Sequence, residues 1–311
     1  MASRWCAPAS CWSEDGKANA LLLGVPNFSE GRDTEAIAAI SAEFARGAGV
    51  VDRHSDPVHN RTVVTLSGPA ASLPAALAAG ASACIERIDM TAHEGAHPCI
   101  GALDVCPVVW LDQPDRASAG EQALEAAIAI GDLGVPVFLY GELASHPRRR
   151  ERAFFREGGT VELARRMRTG ELRPDFGPAE PHPTAGATLV SARPPLAAFN
   201  LELDTPNAGV ARTVAASLRE SGGGLGGVRA IGIDLAGRVQ VSTNIHDPVA
   251  VPLAMVVERT RALAAEQGAE VVRGEVVGLV PEAALRGLPE NLPLPGFDPA
   301  FQVIERRLRV H

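Results

Sequence analysis

A chain of 311 residues with 46% hydrophobic and only 4% aromatic content has the material for two apolar cores, filled mainly by Val, Leu, Ile and Ala. Its net charge is −8, and its basic residues form no block or aromatic-interleaved stripe; this argues against wholesale nucleic-acid binding, because phosphate neutralisation needs clustered Lys and Arg. Lys17, in a polar N-terminal tail, is the only lysine, which leaves no residue in the folded body for Schiff-base or P-loop chemistry.

Residues 1–19 read as a disordered leader. The sequence then predicts a strand over 20–25, a turn at Pro26, Asn27, Ser29 and Gly31, and a helix over 34–46 capped by Asp33 or Thr34. Strands follow over 50–55 and 62–66, around a polar loop at 56–61. Next come a helix over 70–87, a strand over 105–111, a helix over 117–133, a strand over 137–140 and helices over 148–157 and 160–169. From 170 to 186 the prolines Pro174, Pro178, Pro181 and Pro183 interrupt all periodicity, and a loop of that length inside a compact protein is functional or disordered. Strands over 188–192 and 197–203, a helix over 207–220, strands over 228–234 and 238–245, a helix over 252–267, a strand over 270–277 and a helical turn over 282–287 complete the reading. A β-α-β-β-α-β pattern in each half favours an α+β fold with ferredoxin-like split βαβ units. The boundary falls near Arg193-Pro194-Pro195, giving an N-terminal subdomain over 20–195 and a C-terminal one over 196–311.

The five cysteines, Cys6, Cys11, Cys84, Cys99 and Cys106, are odd in number and contain no CxxC, so a disulfide framework is not expected and a reducing, cytoplasmic setting is. Cys84 and Cys106 lie in apolar runs and read as core. No segment reaches the ~20 apolar residues of a membrane span. His93-Glu94-Gly95-Ala96-His97 matches the zinc-protease pattern HExxH, which needs both imidazoles on one helical face. Gly95 weakens a helix by about 1 kcal/mol, and Pro98 pushes His97 out of the α region. The segment reads as a loop presenting His97, with no metal. Gly222, Gly224 and Gly227 fit GxGxxG, but a helix precedes them and a strand follows, the reverse of the dinucleotide fingerprint; they read as a helix C-terminal cap and loop. Asp52, His54, Asp56, His59, Asn60 and Arg61 form a polar cluster between two strands. It is either a solvated turn or a pocket wall in which Arg61 holds a carboxylate.

Several ordered segments carry a family resemblance. They include Val25-Pro26-Asn27-Phe28-Ser29-Glu30-Gly31, Asp56-Pro57-Val58-His59-Asn60-Arg61-Thr62-Val63 and His93-Glu94-Gly95-Ala96-His97-Pro98. Ile100-Gly101-Ala102-Leu103-Asp104-Val105-Cys106-Pro107, Pro174-Asp175-Phe176-Gly177-Pro178 and Gln240-Val241-Ser242-Thr243-Asn244 continue the series. Together, over about 21–285, they resemble the formiminotransferases. The resemblance implies two subdomains whose sheets face each other as a double layer with helices outside, a folate tunnel between them, and a homodimer. It implies transfer of a formimidoyl group from N-formimidoyl-L-glutamate to N5 of tetrahydrofolate, a co-substrate, in histidine degradation, without a metal. His97 corresponds to the family's catalytic histidine. The folate-contacting loop maps onto Gly177, Pro178, His182, Thr184 and Gly186, and a second segment onto Ser217 and Arg219. Asn27, Asn60, Arg61 and Asp104 are the expected substrate-binding groups, with Asp104 near enough in sequence to orient His97. Such a transfer needs one nitrogen to lose a proton and another to gain one, work suited to an imidazole titrating near neutrality. The family motif has Arg after His-Pro, and this chain has Cys99. Formyl transfer between 5-formyltetrahydrofolate and glutamate, a folate-binding paralogue with little turnover, and a zinc hydrolase are the alternatives. A cyclodeaminase domain is not expected within the chain.

Overall fold

The computed structural model describes residues 21–95, 98–235 and 237–309. The expected leader and His97 lie outside the described residues. The first half contains β1 (Leu21–Gly24), β2 (Asn27–Phe28), α1 (Thr34–Phe44), β3 (Gly49–Asp56), β4 (Arg61–Pro69), α2 (Leu73–Arg87) and β5 (Leu103–Trp110). As expected, Asp33 caps α1, its carboxylate accepting the amides of Glu35 and Ala36 at 2.9 and 3.0 Å. These are donors that lack an intrahelical partner. β3 pairs with β4, β4 with β1, and β1 with β5, all antiparallel, which is the split βαβ arrangement. Beyond β5 the chain adds α3 (Arg116–Asp132), β6 (Val137–Leu139), α4 (Arg152–Arg156), α5 (Gly159–Arg168) and β7 (Thr188–Arg193). β7 and β6 extend the sheet in parallel to seven strands among the described residues.

The second half repeats the pattern with β8 (Ala197–Leu203), α6 (Ala208–Leu218), β9 (Val228–Leu235), β10 (Arg238–Ile245), α7 (Leu253–Ala265) and β11 (Val271–Val277). Its four strands run β11-β8-β10-β9, all antiparallel. In each half the helices bury one face of the sheet, making two separate cores. The helix-free faces turn toward the other half. Leu23 and Val109 of the first sheet pack with Ile304, in α9 (Ile304–Arg307), and with Leu279. Arg229, on the helix-free face of the second sheet opposite Asn244, reaches Glu151 of the first half at 2.7 Å. Arg307 Nε donates to the Val51 carbonyl at 2.9 Å.

Several boundaries differ from the sequence reading. The turn expected after β1 contains β2, which continues the line of β1 between β4 and β5; two residues are too few to show alternation. β5 begins two residues earlier than expected, so that Asp104 belongs to the strand. The helix expected over 148–157 divides into a 3₁₀ turn, Pro147–Arg149, and α4, with Glu151 extended between them (φ −93°, ψ 131°). α8 (Pro299–Gln302) and α9, four residues each, are too short to be read from periodicity.

Gly80 in α2 is set by packing. A Cβ there would lie 2.0 Å from the Phe44 ring, so α1 and α2 meet where α2 has no side chain. Gly80→Ala is expected to destabilise the protein by about 1–3 kcal/mol despite its better helix propensity, and a shift in the urea unfolding midpoint checks this.

Candidate active site

The turn between β3 and β4 holds Asn60 in the left-handed region, φ 48°, which asparagine tolerates because its side chain bonds locally. Asn60 Oδ1 accepts the Gly31 amide at 2.8 Å, and Nδ2 donates to the Glu94 carbonyl at 3.0 Å. One carboxamide thus ties the turn to the loop after β2 and to the segment leading into His97. The approach is close enough to require glycine, since a Cβ on Gly95 would stand 2.5 Å from the His59 carbonyl oxygen. Residues 93–95 are irregular backbone, consistent with the loop reading of His93-Glu94-Gly95.

Beside Asn60, Arg61 donates to Asn27 Oδ1, while Asn27 Nδ2 donates to the Val25 carbonyl at 2.7 Å. Burial lowers the Arg61 guanidinium to about 10, against the favourable field of Asp104. Asp104 is 1% exposed. One of its oxygens accepts the Ile100 amide at 2.9 Å and the other accepts Arg156. Ser29 holds the same segment from the other side, its hydroxyl donating to the Gly101 carbonyl at 2.8 Å. Cys99 lies within the field of Asp104, Arg156 and Arg61, and burial pushes its thiol up. Asn60 and Asp104 therefore hold the chain on either side of position 97, at Glu94 and Ile100, while Arg61 lies in the field of Asp104 and is bonded to Asn27. Cys84 and Cys106 are fully buried, as expected, and burial raises both thiols.

The expected folate-contacting residues divide. His182 and Gly186 close a tight hairpin through reciprocal backbone bonds of 2.9 and 3.0 Å. His182 Nδ1 accepts the Ala185 amide at 3.0 Å, which fixes the neutral ring's proton on Nε2. The Thr184 carbonyl accepts the Met90 amide at 2.7 Å, and the backbone of 185–187 pairs with that of Ile100 and Ala102. A Cβ on Gly186 would lie 2.2 Å from the Ile100 carbonyl oxygen. This hairpin therefore borders the Cys99–Ala102 segment. Gly177 instead packs its backbone onto Val135 and Gly131 at the end of α3, and Pro178 is exposed. Ser217 and Arg219 belong to the second half; Arg219 Nε is buried with no hydrogen-bond partner.

Sequence reasoning missed a set of residues at the junction of the halves. Arg193 ends β7, and burial lowers its guanidinium to about 10. Arg152 begins α4. His246 follows β10, its amide bonded to the Gly227 carbonyl at 2.9 Å. Burial, then the fields of Arg229, Arg152 and Arg193, hold its imidazole near 4. Tyr140 is in electrostatic reach of both Arg61 and Arg193, joining this set to the first. A charged residue ending the apolar run 188–192 was the one signal available for Arg193. Two surface grooves, of about 620 and 610 Å³, lie elsewhere, beside Phe154 and Arg166 and beside Trp110 and Arg116.

The two-part α+β fold agrees with the comparisons. Residues 21–193 match the family description "Formiminotransferase domain, N-terminal subdomain" and residues 198–288 match "Formiminotransferase domain". The chain belongs to the formiminotransferase family. It is 37% identical over 290 residues to a Streptococcus pyogenes protein named Glutamate formimidoyltransferase, covering 91% of this chain and 97% of that one. It is 36% identical over 296 residues to a Thermoplasma acidophilum protein of the same name, covering 93% and 97%. It is 40% identical over 280 residues to the Formimidoyltransferase-cyclodeaminase of Sus scrofa, covering 85% of this chain and 51% of that protein.

Two outcomes follow from the geometry. Asp104→Ala leaves Arg156 buried without its partner and is expected to cost about 3–5 kcal/mol, read from denaturant unfolding. His246 has a folded value near 4 against an ordinary 6.5. Between those pH values the unfolded chain binds a proton that the folded chain does not, so stability falls as pH falls through that window. Urea midpoints at pH 7 and pH 5 are expected to differ less in His246→Gln than in the parent protein.

Proposed function

We propose that the chain is a glutamate formimidoyltransferase, carrying the formimidoyl group of N-formimidoyl-L-glutamate to N5 of tetrahydrofolate. The observation that carries this reading is the match to proteins of that name across nearly the full length of both chains. In the reaction, the N5 amine attacks the amidine carbon, a C–N bond to N5 forms, and the C–N bond to glutamate breaks. The proton lost from N5 ends on the departing glutamate nitrogen. His97 is the proton carrier in this scheme. Asn60 and Ser29 hold the chain before and after it, at Glu94 and Gly101, and Asn27, Arg61 and Asp104 are the substrate-binding groups of this scheme. The hairpin of His182, Thr184 and Gly186 borders the same segment and is the first-half contact for folate. Gly177 and Pro178, at the root of that loop, set its path, and Ser217 and Arg219 contribute from the second half.

The accompanying readings are those of a small-molecule enzyme. The two subdomains meet near residue 195, the protein works in the cytoplasm in histidine degradation, and it pairs as a homodimer. Among the described residues no helix is long and apolar enough to cross a membrane. No observation favours the formyl-transfer or inactive-paralogue alternatives over transfer of the formimidoyl group.

Replacing a general acid–base group costs about 10²–10⁴ in rate. His97→Ala is expected to lose transfer by about that factor, measured as glutamate release from formimidoylglutamate in the presence of tetrahydrofolate, and to retain folate binding by fluorescence titration. Turnover equal to the parent protein's removes His97 from the mechanism.

A further inference from the structure

Three ion pairs leave one short stretch, 147–156. Glu151 bonds Arg229 of the second half, Arg156 bonds Asp104, and Arg149 bonds Asp175. The third reaches the root of the loop that ends in the His182–Gly186 hairpin. Asp175 Oδ2 accepts the Leu139 amide at 2.7 Å and Arg149 Nη2 at 2.5 Å, and Oδ1 accepts Arg149 Nη1 at 3.3 Å. This is the two-bonded fork that a guanidinium offers a carboxylate and an ammonium does not. The Asp175 amide donates to the Val137 carbonyl at 2.8 Å, and the Phe176 carbonyl accepts the Val137 amide at 2.9 Å. Side chain and backbone thus both fasten the chain to β6. The Arg149 guanidinium is itself held over Phe138 and Phe155, with ring centroids 5.7 and 5.6 Å away, within cation–π range. The two partners are 14% and 17% exposed, so solvent screens this pair less than one on the open surface.

Beyond this clasp the loop is exposed over 177–180 and at 183. The chain is fastened again at its far end. There the Met90 amide donates to the Thr184 carbonyl at 2.7 Å, the Ala102 amide to the Ala185 carbonyl at 2.9 Å, and the Thr188 hydroxyl to the Leu103 carbonyl at 2.8 Å. A strap fixed at both ends has few conformations, whereas one fixed at a single end has many, and a ligand that binds it must then order it. We propose that Arg149 is a positioning residue for folate: through Asp175 it fixes the near end of the 177–186 loop and so presents His182 and Thr184 to tetrahydrofolate. The inference rests on the reading of that loop, given above, as the first-half contact for folate. Because Arg156 of the same stretch bonds Asp104, the loop and the segment after position 97 are registered against one piece of chain.

The test uses the full-length protein with Arg149→Lys, which keeps the charge and loses the fork, with Asp175→Asn, and with the double variant. Gly80→Ala is the control for lost stability, since its effect lies in the packing against Phe44. Fluorescence titration gives the Kd for tetrahydrofolate, and steady-state kinetics give the KM of each substrate. Arg149→Lys and Asp175→Asn are each expected to weaken tetrahydrofolate binding by roughly 10-fold, because the unfastened loop must be ordered on binding. The KM for tetrahydrofolate is expected to rise, with kcat and the KM for formimidoylglutamate unchanged. The double variant is expected to bind no more weakly than Asp175→Asn alone, as for two residues acting through one contact. Gly80→Ala is expected to leave the tetrahydrofolate Kd unchanged. A pair that serves stability alone lowers the unfolding midpoint of Arg149→Lys and leaves that Kd at the parent value, and this result overturns the proposal. Equal weakening of both substrates overturns it too. Tetrahydrofolate binding that depends on Arg149 in a protein with no transferase activity would sink the proposed function and leave the clasp standing. Transfer in the parent, with one Kd across all variants, leaves the function standing and removes the clasp. A parent protein that binds no tetrahydrofolate overturns both.

Discussion

Asp104 is the group on which the local structure of the site depends. Its strand is buried along its whole length, and an isolated carboxylate there would be neutralised or expelled. It remains because each oxygen has a partner. The Ile100 amide fixes the backbone that leaves position 99, and Arg156 fixes the short helix α4. One buried anion thus determines where two otherwise independent segments lie: the one flanking His97 and the one carrying Arg152. Arg61 is desolvated within the same field. At position 99, where the sequence resemblance implies an arginine, this chain has a thiol, and it lies in the fields of Arg156 and Arg61.

The second organising contact is polar and links the halves. The Glu220–Arg229–Glu151 chain is partly exposed, and pairs of that kind contribute little stability each. Apolar contacts among Leu23, Val109 and Ile304 carry more of the adhesion, because fully burying a Leu, Ile or Val side chain is worth about 1.5–3 kcal/mol. The salt-bridged chain instead sets orientation, with His246 in the field of Arg229, Arg152 and Arg193. The junction of the halves thus has an apolar patch at Leu23, Val109 and Ile304 and a polar, arginine-containing one at Glu151 and Arg229.

Most of the fold was legible in the chain itself. The repeated order of strands and amphipathic helices specified split βαβ units, and the observed pairings β3-β4-β1-β5 and β9-β10-β8-β11 follow from it. The Asp33 cap, the loop character of His93-Glu94-Gly95 and the glycine-rich exit from α6 were readable because each depends on local backbone chemistry. Ordered motifs also pointed to the family and to Asn27, Asn60, Arg61 and Asp104. What escaped was short or non-local: β2, α8 and α9 have too few residues to establish a period, and the break at Glu151 follows from tertiary anchoring of α4.

Sequence by itself therefore determined which of the longer elements form and which of their faces are apolar, because these are fixed by neighbours within a few residues. Only the tertiary structure decided which arginines are neutralised and which are not. Arg152, Arg156 and Arg193 are chemically identical in the sequence. Their differences arise from whether a carboxylate distant along the chain, such as Asp104, lies within bonding distance in the folded protein.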